Sequence, residues 1–159
     1  DMMDGRVGAI RRALDAAGHG DVGILAYTAK YASSYYGPFR EAAASAPQFG
    51  NRRTYQMDYR NRREAQLECE LDELEGADWV MVKPALPCLD IIADFRRNTS
   101  LPVAAYHVSG EYAAAKLLVK AGLADERALV LENLTAIFRA GAHIVLTYHL
   151  RDILRERWW

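Results

Sequence analysis

Two lysines stand at the ends of apolar runs: Lys30 closes "GILAYTAK" and Lys83 closes "WVMVK". A lysine at the end of a buried strand is costly unless it is paired, snorkelling or meant to be partly desolvated. The chain has four lysines, Lys30, Lys83, Lys116 and Lys120, against 16 arginines. Arginine cannot replace lysine where an amine must lose its proton and react. If the two runs are neighbouring parallel strands, their ends lie about 4.8 Å apart. Each amine then feels the other's charge, and burial disfavours both ammonium forms. A neutral amine attacks a ketone to give a Schiff base. The bland alternative is that each lysine reaches a surface carboxylate and that the arginine excess is a compositional bias.

Other candidate groups gather around an irregular segment from Tyr31 to Arg60, punctuated by Gly37-Pro38, Pro47 and Gly50. A loop that long in a compact domain is usually functional. It carries Arg40, Arg52 and Arg53 interleaved with Tyr35, Tyr36, Phe39 and Tyr55. Arginine forks suit carboxylates; a solvated basic loop is the alternative. Ser109 and Tyr148 follow later apolar runs, where each can bond an anion or serve as a satisfied structural hydroxyl. Glu68 lies in a helical stretch with Glu64, Glu70, Asp72, Glu73 and Glu75, a pattern that ordinarily faces solvent. His19, His107, His143 and His149 show no metal spacing; His107 and His149 follow strands and read as core or rim. Cys69 and Cys88 have neither metal spacing nor the numbers for a disulfide framework, which fits a reducing, cytoplasmic setting.

The elements that must position these groups alternate between helix and strand. "GRVGAIRRALDAAG" places Val7, Ile10, Leu14 and Ala17 at helical spacing, with Asp4 as N-cap and Gly18 as stop. "NRREAQLECELDELEG", "LDIIADFRRNT", "EYAAAKLLVKAG", "ERALVLENLTAIFRAG" and "RDILRERWW" read as further helices. "DVGILAYT", "DWVMVK", "PVAAYHV" and "HIVLTY" read as strands, apolar on both faces, as parallel strands covered by helices are. The class is α/β, in one domain with four βα units. No glycine-rich phosphate turn follows the first strand, which argues against a doubly wound nucleotide binder. A (β/α)8 barrel puts reactive groups at the C-terminal ends of its strands. Lys30, Lys83, His107 to Ser109 and Tyr148 all occupy such ends. Four strands are half of that barrel, whose full size is roughly 250 residues.

Bulk properties exclude several classes. The 159 residues are 51% apolar and 26% charged, with a formal charge of −1, so no electrostatic pull toward nucleic acid or membrane is expected. No apolar run approaches the roughly 20 residues of a membrane span, and no signal peptide is recognisable. The sequence opens on Asp1 rather than methionine, so the start of the protein is expected upstream.

The motifs together resemble one family. "DMMDGRVGAIRRALD", "YTAKYASSYYGPFREAA", "RRTYQMDYRNRREA", "GADWVMVKPALPCLDII", "LPVAAYHVSGEYA" and "RAGAHIVLTY" are similar to porphobilinogen synthases, also called delta-aminolevulinic acid dehydratases. The resemblance covers nearly the whole chain in unbroken order. It implies a (β/α)8 barrel that joins two 5-aminolevulinate molecules into porphobilinogen with loss of two waters, an early step of haem and other tetrapyrrole synthesis. It implies that Lys83 forms the Schiff base with the first substrate and that Lys30 engages the second. Arg40, Arg52 and Gln56 match groups that hold the second substrate, and Ser109 and Tyr148 the pair that binds the first substrate's carboxylate. Glu68 matches a carboxylate that supports an allosteric magnesium ion at a subunit contact.

The same resemblance implies that residues 1–159 are strands five to eight, the C-terminal half of the barrel. The family's first four strands, its N-terminal arm and its catalytic-metal segment would then lie elsewhere, with any catalytic zinc or magnesium. Complete members are homo-oligomers, octamers in the family. Cys88 and His149 depart from the family pattern, His149 standing where an aromatic residue usually follows Tyr148. Neither removes a catalytic group. Two other readings compete: an inert barrel fragment or assembly unit that needs its N-terminal half, and a different Schiff-base barrel such as an aldolase, which would lack the second lysine and the arginine-rich loop.

Overall fold

The computed structural model describes residues 2–44 and 49–159; Asp1 and Pro47, both considered above, lie outside the described residues. In chain order the elements are α1 (Arg6–Ala16), β1 (Leu25–Lys30), α2 (Gly37–Ala42), α3 (Arg62–Leu74), β2 (Trp79–Lys83), α4 (Leu89–Asn98), β3 (Val103–His107), α5 (Ser109–Lys120), α6 (Glu126–Ala140), β4 (Ile144–Thr147) and α7 (Leu150–Glu156). The strands form one four-stranded parallel sheet in the order β1-β2-β3-β4. β1 pairs with β2 as Leu25↔Trp79 and Ala26↔Val80; after a register shift between Ala26 and Ala29 it pairs as Ala29↔Val82 and Lys30↔Lys83.

The core lies between the sheet and its covering helices. Val80 and Val82 of β2 and Val103 and Ala105 of β3 are alternate residues, and so share the face that meets Ile91, Ile92 and Phe95 of α4 and Val130, Leu134 and Ile137 of α6. Burying each of these aliphatic or aromatic side chains is worth about 1.5–3 kcal/mol. A smaller cluster of Val7, Ile24, Ala26 and Ala77 seats α1. That helix is less amphipathic in place than its spacing implies: Val7 is buried, but Ile10 and Ala17 are exposed.

Four sequence expectations are corrected. Asp4 does not cap α1. Gly5 occupies the cap with φ of 80°, and the Glu75 carboxylate accepts from Gly5 N at 2.6 Å and Gly8 N at 3.0 Å. α5 begins at Ser109 rather than Glu111, because the Glu111 side chain folds back to accept from Val108 N at 2.5 Å. The segment 31–60 is not wholly irregular. It holds α2 and two 3₁₀ turns, Ser34–Tyr36 and Arg52–Thr54. Finally, β4 is not buried on both faces: Ile144 is 41% exposed and Val145 to Thr147 are half-buried.

Candidate active site

Lys30 and Lys83 are register partners at the C-terminal ends of adjacent parallel strands. Both line one pocket, together with Arg40, Arg52 and Gln56 from the 31–60 segment, Ser109 from the start of α5, and Tyr148 after β4. The structure thus brings together seven of the residues singled out above. Glu68 lies apart, buried on α3.

Lys83 is enclosed by aromatic rings. Its Nζ lies 4.3 Å from the Tyr106 ring centre, 5.2 Å from Tyr27 and 5.3 Å from Tyr36. These π faces favour the ammonium form, but burial disfavours it more strongly. Burial first, then the charges of Lys30 and Arg52, bring the Lys83 pKa down to about 8. Lys30 is also shifted downward, by burial and then by Arg52 and Arg40. A neutral amine at Lys83 is therefore accessible near neutral pH.

The pocket wall is held by backbone bonds. Tyr31 N donates to Lys83 O at 3.0 Å, and the Tyr36 hydroxyl donates to Tyr31 O at 2.7 Å. Met57 N donates to Lys30 O and Ala32 N to Met57 O, so the returning chain pairs alongside the end of β1. That pairing places Gln56, which is 2% exposed. Its Oε1 is buried without a hydrogen-bond partner, an acceptor that a ligand's donor would satisfy. The Arg40 guanidinium lies 5.5 Å from the Tyr36 ring.

Ser109 joins the loop to the start of α5. Its Oγ accepts from Phe39 N at 3.1 Å and donates to Tyr35 O at 3.4 Å. The second bond is long, so its proton is the one a bound carboxylate would compete for. Next to it, a Cβ on Gly110 would lie 2.4 Å from Tyr35 O; glycine is what lets α5 and the loop meet. Tyr148 bonds the Tyr106 hydroxyl. Burial and that bond push the Tyr106 phenol up to about 12.

Sequence reasoning missed Glu111, Tyr27 and Tyr106. Glu111 is 3% exposed and ties two elements together, accepting from Val108 N at 2.5 Å and Leu86 N at 2.6 Å. The signal for it was faint: a glutamate at the third helical position with no Ser or Thr cap ahead of it. Tyr106 follows Ala105, the register partner of Val82, so pairing the strands residue by residue would have found it beside Lys83. His107 and His149 are 0% and 1% exposed, ring centres 5.6 Å apart, and belong behind the pocket rather than in it. Cys69 and Cys88 are buried free thiols, pushed up to about 12 chiefly by burial. Among the described residues no helix is long and apolar enough to cross a membrane.

The family model described as "Delta-aminolevulinic acid dehydratase" matches residues 1–156. The chain is 62% identical over 148 residues to the chloroplastic delta-aminolevulinic acid dehydratase of Physcomitrium patens, covering 93% of this chain and 34% of the relative. It is 61% identical over 154 residues to the enzyme of Synechococcus elongatus, covering 97% of this chain and 47% of the relative. The Toxoplasma gondii enzyme, solved in complex with its reaction product porphobilinogen, superposes with a TM-score of 0.95 at 52% identity, over 98% of this chain and 45% of that one. The chain thus spans between a third and a half of the length of the relatives it matches.

Proposed function

Because the chain belongs to the delta-aminolevulinic acid dehydratase family, we propose that it carries the paired-lysine site of a porphobilinogen synthase, a hydro-lyase that condenses two 5-aminolevulinate molecules. The observation that carries this reading is the pair of register-matched amines, Lys30 and Lys83, in one pocket with two arginines. The four βα units are read as strands five to eight of a (β/α)8 barrel. The other four strands must come from whichever chain supplies them, and the complete assembly is read as a homo-oligomer in the cytoplasm.

In this mechanism the neutral Lys83 amine adds to the ketone carbon of the first substrate. A C–N bond forms, the carbonyl oxygen leaves as water, and the result is a Schiff base. The aromatic ring around Nζ keeps bulk water from competing. Ser109 and Tyr148 take the first substrate's carboxylate. Arg40 and Arg52 clamp the second carboxylate through charge-assisted hydrogen bonds, and the unpartnered Gln56 Oε1 accepts from the second substrate's amine. Lys30 engages the second ketone. Two substrates become one porphobilinogen and two waters.

Magnesium is commonly held through one or two carboxylates and otherwise water. Glu68 fits such a role. It is 5% exposed, and burial first, then Asp4, Asp72 and Glu64, raise its pKa to about 7, so a cation there would offset crowded negative charge. Cys69 and Cys88 are buried thiols whose pKa values burial pushes up to about 12, so neither is poised as a thiolate ligand for a catalytic zinc. On this reading a catalytic zinc or magnesium would be held by the other half of the barrel.

The test is covalent trapping. Incubation with 5-aminolevulinate and borohydride should label Lys83, and Lys83→Arg should abolish labelling, since a guanidinium forms no such adduct. Label that persists in the variant on Lys116 or Lys120 would defeat the assignment.

A further inference from the structure

Behind the pocket, the starts of two helices converge on a second group of ligating side chains. Glu126 opens α6, His149 precedes α7 and Asp152 lies in its first turn. One ligand atom from each lies within 4.8 Å of the other two. His149 is 1% exposed, and neither of its ring nitrogens has a hydrogen-bond partner. An imidazole buried with both nitrogens unpaired is costly and needs a reason. Lys116 supplies the present counter-charge: its ammonium binds Glu126 and, at 2.8 Å, Asp152. Arg155, 69% exposed, adds a second positive charge at 3.0 Å from Asp152, so one half-buried ammonium and one exposed guanidinium balance the two carboxylates.

We propose that Glu126, His149 and Asp152 form a site for a first-row divalent cation of the zinc class, which the Lys116 ammonium closes. One imidazole and two carboxylates are a donor set that zinc accepts, with water in the fourth position. Bonds of about 2.0–2.2 Å put tetrahedral ligand atoms roughly 3.4 Å apart, so the three groups need only close by about an ångström. A dication would neutralise both carboxylates at once, the task now shared by the Lys116 ammonium and the solvent-exposed Arg155 guanidinium. Entry needs no rearrangement of the core. The Lys116 and Glu126 side chains are 32% and 30% exposed, so the lysine can swing into solvent still protonated. The Tyr112 ring lies 4.6 Å from that of His149 and 5.8 Å from that of Tyr148, so an ion on His149 would also stiffen the pocket wall next to it.

Zinc titration by calorimetry, in buffer with excess magnesium to occupy hard oxygen sites, tests this on the intact protein. Lys116→Met should bind one zinc at least tenfold more tightly than the unsubstituted protein, and His149→Phe, which keeps a ring against Tyr112, should lose that site. No zinc binding by Lys116→Met, or equal binding by His149→Phe, would overturn the proposal. If His149→Phe fails to fold, Glu126→Gln must weaken binding tenfold or more in its place. Cobalt substitution adds a spectroscopic arm. Imidazole and oxygen ligation supports the site, and a thiolate-to-cobalt charge-transfer band would place the ion on a cysteine and refute it.

Discussion

Lys83 carries a charge that its surroundings resist, and two measurements should register this. With a pKa near 8, half of it is neutral near pH 8. Trapping by 5-aminolevulinate should therefore rise with pH through a midpoint near 8. Lys30→Met should move that midpoint upward, because Lys30's charge is the second cause of the depression after burial. A midpoint at the ordinary lysine value would contradict the site. The linkage to stability has a definite sign. The folded pKa lies below the unfolded one, so the unfolded chain binds more protons between about pH 8 and 10.5, and stability rises with pH across that window. Below pH 8 the penalty is fully present. Lys83→Met should accordingly be more stable than the parent in urea at pH 7, with the difference shrinking by pH 10. Arg52→Ala should lose at least ~1.5 kcal/mol of binding for the second substrate, the low end for a charged hydrogen bond. It should also raise the pKa of both lysines, since its charge bears on each. Residue types and their order made the lysines, the arginines and Tyr148 legible in the sequence. The bonding of Ser109 to the backbone of Tyr35 and Phe39 was not, because its partners lie 74 and 70 positions away.

At the scale of elements, α5 is the joint between sheet and loop. Glu111→Ala would strand the buried Val108 and Leu86 N–H groups, at about 1–3 kcal/mol each. Urea unfolding should show a loss of ~3 kcal/mol, and a loss below ~1 kcal/mol would make the carboxylate dispensable. Glu111→Gln should cost less, since its carbonyl can still accept one of the two. Gly110→Ala would drive a methyl against Tyr35 O, so hydrogen exchange should rise over residues 33–40 while the sheet stays protected. Helices were legible from periodicity and strands from their apolar runs. What periodicity does not carry is a cap from a distant element: Glu75 reaches Gly5 across 70 positions, and nothing near Asp4 announces it. The exposure of β4 was hidden for a similar reason. An apolar run states what a strand can bury, not whether a partner covers it.

For the whole molecule, β1 and β4 are the two edges of the sheet. Tyr27 of β1 and Ile144 of β4 are each 41% exposed. Unpaired strand edges recruit further strands, and covering apolar surface gains about 25 cal/mol per Å². The 159-residue chain by itself should therefore self-associate, seen as a mass above one chain by light scattering after size exclusion. It should show no porphobilinogen synthase turnover until four further strands complete the ring. Turnover by a monodisperse monomer would refute this.

The register shift in β1 has a consequence best put as parity. Before it, β1 and β2 pair at an offset of 54 positions, as in Leu25↔Trp79; after it the offset is 53, as in Lys30↔Lys83. One supernumerary residue separates the two frames. Side chains alternate along a strand, so if the first frame ran on with the extra residue unabsorbed, Ala29 would stand beside Lys83 and Lys30 would turn to the opposite face of the sheet. Take out the extra residue between Ala26 and Ala29 and the ladder runs straight from Ala26↔Val80 to the same Lys30↔Lys83 pair; keep it and flatten the shift, and the two amines part. The reactive pair depends on the absorption of one surplus residue as much as on the identity of either lysine.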